Sequence, residues 1–217
     1  MPIQAVVFDM EGVLVDSEGY WFEARGDFAR ARGKTWTLDD QRQAMGRNTL
    51  EWARVMKDRL AVDDPVEAIA AETTRGVMDR YERRSPVLPG AAGAVRLAAS
   101  RYRVALASGS PRAIIDRVLQ ITNLAGLFGA LIYGDEVANG KPAPDIYLAA
   151  ARQLGVEPAA CVGVEDSANG IWAVKAAGMR VIVVANPAIP LPDGLLEPGD
   201  PVLDSLEDFT LELIEKW

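Results

Sequence analysis

Two acid clusters, Asp9 with Glu11 and Glu165 with Asp166, carry the most chemical information in this chain. Each follows an unbroken apolar run, Ala5-Val6-Val7-Phe8 in the first case and Cys161-Val162-Gly163-Val164 in the second. Runs of this kind read as buried parallel strands. In open α/β sheets, ligands bind beyond the carboxyl ends of the strands, so both clusters stand where chemistry is done. Two strands that finish in acids can hold a divalent cation between them, because such ions take carboxylate oxygens. A single strand-end Asp is as easily a solvated loop residue, but two clusters together make that reading remote. Histidine is absent, which removes histidine-based catalysis and histidine metal ligands.

Two more residues fit the same chemistry. Ser108 ends the apolar run Val104-Ala105-Leu106-Ala107, and Ser110-Pro111 then reads as a helix N-cap and first helical position. Backbone N–H groups and the helix dipole favour an anion there. Lys141 lies in Gly140-Lys141-Pro142-Ala143-Pro144-Asp145, where the prolines limit how far its ammonium can wander. Taken singly, Ser108 is a generic turn serine and Lys141 a solvated loop lysine.

The elements that must position these residues alternate along most of the chain. Further strands are expected at Leu131-Ile132-Tyr133 and Val181-Ile182-Val183-Val184, with helices over Ala91–Ala99, Pro111–Gln120, Asp145–Leu154 and Gly170–Ala177. That alternation predicts an α/β fold with a doubly wound parallel sheet, Rossmann-like. Between Glu18 and about Arg84 the strand signal vanishes and helical periodicity takes over, with a start at Asp64 (N-cap) and Pro65. An inserted α-helical cap over residues 17–85 is therefore expected, with the core formed by 1–16 and 86–217. A surface loop from Pro187 to Pro201 and a last helix near Leu206 to Lys216 complete the expected order.

Composition narrows the class. The 217 residues suffice for a sizeable core with a small second domain. A net charge of −8 argues against nucleic acid and anionic membrane as partners. No apolar stretch approaches a membrane span, and the first strand begins too near Met1 to leave room for a signal peptide. The single cysteine, Cys161, sits within a strand as a buried thiol, in keeping with a reducing cytosol. A cytoplasmic monomer acting on a small molecule is expected.

Four motifs now fall into order: Asp9-Met10-Glu11-Gly12-Val13-Leu14-Val15-Asp16-Ser17-Glu18, then Ser108-Gly109-Ser110, then Gly140-Lys141-Pro142, then Gly163-Val164-Glu165-Asp166-Ser167 with Gly170. In this the sequence resembles the haloacid dehalogenase superfamily, specifically the β-phosphoglucomutase-like phosphatases with a small helical cap. The resemblance spans the whole chain. It implies a Mg²⁺-dependent phosphatase acting on a small phosphomonoester, a sugar phosphate above all, with Asp9 as nucleophile and an aspartyl-phosphate intermediate. Implied metal ligands are Asp9, Asp166 and the backbone carbonyl of Glu11, with Glu165 bound directly or through water. Ser108, Gly109 and Lys141 would hold the phosphate. Phosphoryl transfer concentrates negative charge on the moving group, so cations and oriented donors are what such a site must supply.

The chain departs from this pattern at Glu11, where the family has Asp as general acid and base. The longer side chain moves the carboxyl by about one methylene. Three readings follow: a cap geometry adapted to Glu, a slowed phosphatase, or a protein that binds phosphate without turnover. The working phosphatase is preferred. In the cap, Trp21 stands where the mutases carry a histidine, and Gly46-Arg47-Asn48-Thr49 has the arginine of their Gly-x-x-Arg displaced. A hydrolase is thus favoured over the alternative, a phosphosugar mutase. Arg47 and Asn48 remain candidates to face the substrate, while Trp21, Trp36 and Trp52 are expected in cap core or hinge. A metal-free dehalogenase would leave Glu165 and Asp166 unneeded. A phosphonate hydrolase using Lys34 or Lys57 would want a small residue in place of Glu11. The cap is expected to open and close over a modest, polar interface.

Overall fold

The computed structural model describes residues 1–186 and 190–217. Among the described residues six parallel strands form one sheet in the order β3-β2-β1-β4-β5-β6. They are β1 (Ala5–Phe8), β2 (Arg103–Ser108), β3 (Ala130–Tyr133), β4 (Cys161–Glu165), β5 (Arg180–Val184) and β6 (Val202–Leu203). The two-residue β6 is too short to leave a sequence pattern. Strand order reverses between β1 and β4, and the crevice at such a switch point is where α/β sheets bind ligands. Register fixes the chemistry there: Phe8 lies beside Val164, so Asp9 follows level with Glu165, and its N–H donates to the Val164 carbonyl at 3.0 Å.

The period-two alternation of each strand feeds two cores. Val6, Phe8, Val104, Leu106, Val162 and Val164 face one side, and Ala5, Val7, Ala105, Ala107 and Cys161 face the other. The second face is built from small residues, and α7 (Asp145–Leu154) and α8 (Ala168–Ala176) pack closely on it. At Gly163 an added Cβ would come within 2.5 Å of Val174. The first face carries α5 (Ala91–Ala99) and α6 (Arg112–Thr122). Each fully buried Val, Leu, Ile or Phe on these faces contributes about 1.5–3 kcal/mol of burial.

The insert after β1 is four helices, α1 (Glu18–Ala31), α2 (Leu38–Ala44), α3 (Thr49–Leu60) and α4 (Val66–Arg83). Thr37 and Asn48 start α2 and α3 with reciprocal capping boxes to Asp40 and Glu51. The chain leaves and re-enters the core side by side: Val15 bridges Val87, and the Asp16 N–H donates to the Pro86 carbonyl at 2.8 Å.

Three expectations need correction. The α4 helix begins at Val66 with Pro65 in the cap position, because the Asp64 carboxylate is drawn to Arg32 at 2.7 Å. The expected last helix breaks into a turn at Leu206–Asp208 and a short α9 (Glu212–Glu215). Phe209 between them is buried in the core, its ring centroid 6.0 Å from that of Phe8. The surface loop expected from Pro187 begins in residues 187–189, outside the described residues; from Pro190 to Pro201 only turns and irregular chain occur.

The third correction is the largest. The expected polar interface beneath the cap is not found. Trp21, Phe28, Trp52 and Tyr81 of the insert and Phe8, Leu106 and Val164 of the sheet belong to one contiguous apolar cluster. Helical periodicity marks an apolar face but not the surface it meets, so the sequence does not distinguish an insert packed on itself from one sharing the core. A freely swinging cap is not what this interface supports.

Candidate active site

At the ends of β1 and β4, Asp9, Glu165 and Asp166 are buried with ligand oxygens within 4.8 Å of one another. Lys141, from the loop before α7, reaches into this cluster. Its Nζ donates to Asp9 Oδ1 at 2.6 Å and Glu165 Oε1 at 2.5 Å. Burial pushes the Asp9 carboxyl up to about 7; Glu165 adds to the rise and Lys141 opposes it. Burial likewise drives Asp166 well upward, reinforced by Glu165 and Asp9. Lys141 is held above its ordinary range, because its two carboxylate partners outweigh the cost of burial. Three crowded carboxylates against one ammonium leave an excess of negative charge, which a hard divalent cation with oxygen ligands would balance.

Glu165 is already fully engaged. Its Oε1 accepts from Lys141 and from the Tyr147 hydroxyl at 2.7 Å, and its Oε2 accepts from the Asp166 and Ser167 N–H groups and the Ser167 hydroxyl. That leaves Asp9 and Asp166 as the carboxylates with oxygens turned to the cavity, and Glu165 as the residue that fixes Lys141. Two glycines make the crowding feasible. A Cβ at Gly12, whose φ is +77°, would overlap Asp166, and one at Gly170 would overlap the Glu165 carboxylate at 1.8 Å.

The remaining expected residues divide. Ser108 is buried at the end of β2, and Gly109 follows it; both line one cavity with Asp9, Glu11, Lys141 and Asp166. Ser110 does not cap α6. Pro111 holds the cap position, and the Ser110 hydroxyl is left buried without a hydrogen-bond partner, facing a site lined by phosphate-binding types of residue. Arg47 lines the cavity but is exposed, its Nε donating to the Gln43 carbonyl at 2.7 Å. Asn48 is the one expected residue drawn away: its side-chain oxygen accepts the Glu51 N–H at 3.0 Å as the cap of α3. Capping chemistry and ligand chemistry use the same atoms, so the sequence does not separate them.

Trp21 lies in the core as its sequence pattern predicts, and the structure gives it a second role. It is buried against Trp52, with ring centroids 5.4 Å apart, yet its indole N–H donates to Glu11 Oε1. Ser17 donates to the same oxygen at 3.2 Å. The extra methylene of Glu11 is therefore met by two donors from the start of α1. Arg25, Glu18 and Asp16 also line the cavity and drew no notice as binding residues in the sequence. Burial lowers Arg25 to about 10, with Glu18 and Glu11 holding it up, while burial raises Glu18.

The cavity measures about 60 Å³, room for a phosphoryl-sized group. A second cavity of about 720 Å³, in the range of small-molecule sites, adjoins it and shares Gly12, Asp16, Glu18, Met45 and Asn186. Among the described residues no helix is long and apolar enough to cross a membrane.

The raised Asp9 carboxyl predicts a pH signature. A carboxyl whose pKa is raised by folding favours the folded state most below its unfolded value near 3.8, and that contribution is lost as pH rises to about 7. With a chelator present, melting temperature relative to an Asp9→Asn variant is expected to fall across this window. The difference is needed because Asp27 and Asp64, held low by Arg80 and Arg32, act in the opposite sense. Added Mg²⁺ is expected to raise the melting temperature more at the top of the window than at the bottom. An equal shift at both ends would contradict the metal assignment.

Comparison with known proteins agrees with this geometry. The family model described as haloacid dehalogenase-like hydrolase matches residues 3–178. The chain is 33% identical to a phosphorylated carbohydrates phosphatase of Thermotoga maritima, covering 95% of this chain and 96% of that protein. It is also 33% identical to a bifunctional riboflavin kinase/FMN phosphatase of Arabidopsis thaliana, of which it spans 55%. Among solved structures, CbbY from Rhodobacter sphaeroides in complex with xylulose-(1,5)bisphosphate aligns with a TM-score of 0.82 at 25% identity, covering 98% of this chain and 99% of that one.

Proposed function

This chain belongs to the haloacid dehalogenase-like hydrolases and is a phosphatase of phosphoric monoesters, and we propose that it requires Mg²⁺, passes through an aspartyl-phosphate on Asp9 and takes a phosphorylated sugar or polyol. The observation that carries this reading is the buried Asp9–Lys141–Glu165–Asp166 cluster opening on a cavity the size of a phosphoryl group. Asp9, Asp166 and the backbone carbonyl of Glu11 would hold the ion, and Glu165 supports it from behind. When bound, the ion neutralises charge on the phosphoryl group so that a carboxylate can approach an anion.

The chain's own residues do the rest. Lys141 fixes Asp9 by one carboxylate oxygen and leaves the other to attack phosphorus. Ser108 and the backbone at Gly109 and Ser110 receive the phosphoryl oxygens, and the free Ser110 hydroxyl gains a partner. Glu11, gripped through Oε1 by Trp21 and Ser17, presents Oε2 to the leaving oxygen and gives it a proton; it then takes a proton from the water that attacks the aspartyl-phosphate. The names of relatives support the sugar reading, the Thermotoga protein being a phosphatase of phosphorylated carbohydrates. The insert at 17–85 acts as the substrate-facing cap, and the division into core and cap belongs to this proposal. Cytoplasmic location and a monomeric state complete it.

Purified protein assayed on a panel of sugar, polyol and nucleotide monophosphates is expected to release phosphate with Mg²⁺ and to stop when the ion is chelated. Undiminished release under chelation would remove the metal from the mechanism.

A further inference from the structure

Arg25 sits on α1 at the insert side of the active-site cavity, 4% exposed, with its Nε buried and without a hydrogen-bond partner. Its guanidinium carbon lies 4.9 Å from the Trp21 ring centroid and 5.3 Å from that of Trp52. The guanidinium thus lies against two indole rings, while its Nε donor goes unused. Leaving a buried donor without a partner is costly, more so when it is charged, so a ligand that supplies the missing acceptor is favoured. Arginine carries five N–H donors and no acceptor, so that ligand must bring oxygen.

The charge around Arg25 decides which oxygen. Glu18 and Glu11 both lie close enough to hold its protonated form against burial. Glu11, Asp16 and Glu18 line the same cavity. The positive charge is therefore already balanced by the protein, and only its hydrogen-bonding capacity is unspent. A second anionic group arriving here would meet the acidic lining of Asp16 and Glu18, and like charges in a buried site repel strongly. A neutral hydroxyl meets no such penalty. It can accept from Arg25 and donate to Glu18, one of whose oxygens is bound to Gln41 at 2.5 Å. Glu18 also borders the larger adjoining cavity, which has space for the remainder of a leaving group.

We propose that Arg25 and Glu18 together read the hydroxyls of a neutral polyol leaving group, making Arg25 the specificity-determining contact and disfavouring substrates with a second anionic group. This rests on the phosphatase reading above and names the substrate class within it. It also sets this chain apart from the CbbY relative, whose solved complex holds a bisphosphate.

Three phosphomonoesters of similar size test it: glycerol phosphate, propyl phosphate, which lacks the hydroxyls, and phosphoglycerate, which adds a carboxylate. Wild-type protein is expected to prefer glycerol phosphate over propyl phosphate by about tenfold or more in kcat/KM, since a site built to bond a hydroxyl discriminates against its absence. Phosphoglycerate is expected to fall below glycerol phosphate. In Arg25→Met, which keeps the bulk and apolar stacking, the glycerol-to-propyl ratio is expected to collapse toward one. Arg25→Lys, which keeps the charge but loses the planar fork, is expected to lie between. A merely structural role would lower both rates and leave the ratio unchanged, and that result would overturn the assignment. So would a preference for phosphoglycerate that disappears in Arg25→Met. Hydrolysis of p-nitrophenyl phosphate by the wild type, with no hydroxyl to recognise, reports on the phosphatase reading separately.

Discussion

Asp9→Asn is expected to abolish turnover, lowering kcat on any phosphomonoester by on the order of 10⁴–10⁶-fold, as loss of a covalent nucleophile does elsewhere. The substitution is nearly isosteric, so the loss is chemical. A carboxamide does not attack phosphorus, and it contributes no negative charge to the ion. The fold is expected to survive, because Lys141 keeps Glu165 at 2.5 Å and the crowding of three carboxylates is relieved. Calorimetry should therefore show no drop in melting temperature for the metal-free variant, together with a smaller stabilisation by Mg²⁺. An Asp9→Asn protein that retained near wild-type turnover would make another residue the nucleophile.

The second large effect is at Glu11. Glu11→Gln is expected to slow steady-state turnover by about 10²–10⁴-fold, the usual contribution of a positioned acid–base group. Glu11→Asp is the more discriminating variant. Family resemblance alone allows it to speed the reaction by restoring the usual residue, or to slow it if the surroundings suit Glu. The structure decides for the second outcome. Trp21 and Ser17 both donate to Glu11 Oε1, and a shorter side chain would draw the carboxyl away from these donors. Misplacement on the scale of an ångström costs about 10²-fold, so Glu11→Asp is expected to be slower than wild type, with Mg²⁺ affinity unchanged since the ligand there is a backbone carbonyl. A faster Glu11→Asp enzyme would mean that Trp21 and Ser17 do not serve Glu11. Equal rates in wild type and Glu11→Gln would exclude the residue from proton transfer.

What the sequence revealed about this molecule follows from where its information is local. Asp9, Ser108 and the Glu165–Asp166 pair sit at strand ends, and chain continuity alone carries a strand-end residue to the ligand-binding edge of a parallel sheet. The apolar runs mark those strands to within a residue or two, and the four motifs bring Lys141 into the set. The failures are tertiary. Nothing in the pattern of α1 shows that Trp21 turns its N–H toward Glu11, that Arg25 lies buried over two indoles, or that the insert shares an apolar core with the sheet. A helix wheel marks which residues are buried but not against what. The short β6 fails for a related reason, since its pairing with β5 is a tertiary contact, and the C-terminal helix breaks between Leu206–Asp208 and Glu212–Glu215. Asn48, a candidate to face the substrate, caps α3, and Ser110, which reads as a cap, has a buried hydroxyl with no hydrogen-bond partner.

The central claim is that phosphate passes through a covalent bond to Asp9, and the most direct test is to catch it there. p-Nitrophenyl phosphate has a leaving group that departs without a proton, so Glu11→Gln slows only the second step, attack of water on the aspartyl-phosphate. Rapid mixing of this variant with p-nitrophenyl phosphate and Mg²⁺, followed by acid quench and mass analysis, is the measurement. A burst of p-nitrophenol near one equivalent of enzyme is expected, with a phosphoryl group on the peptide that contains Asp9. Continued turnover with no burst and an unmodified Asp9 peptide would contradict that claim.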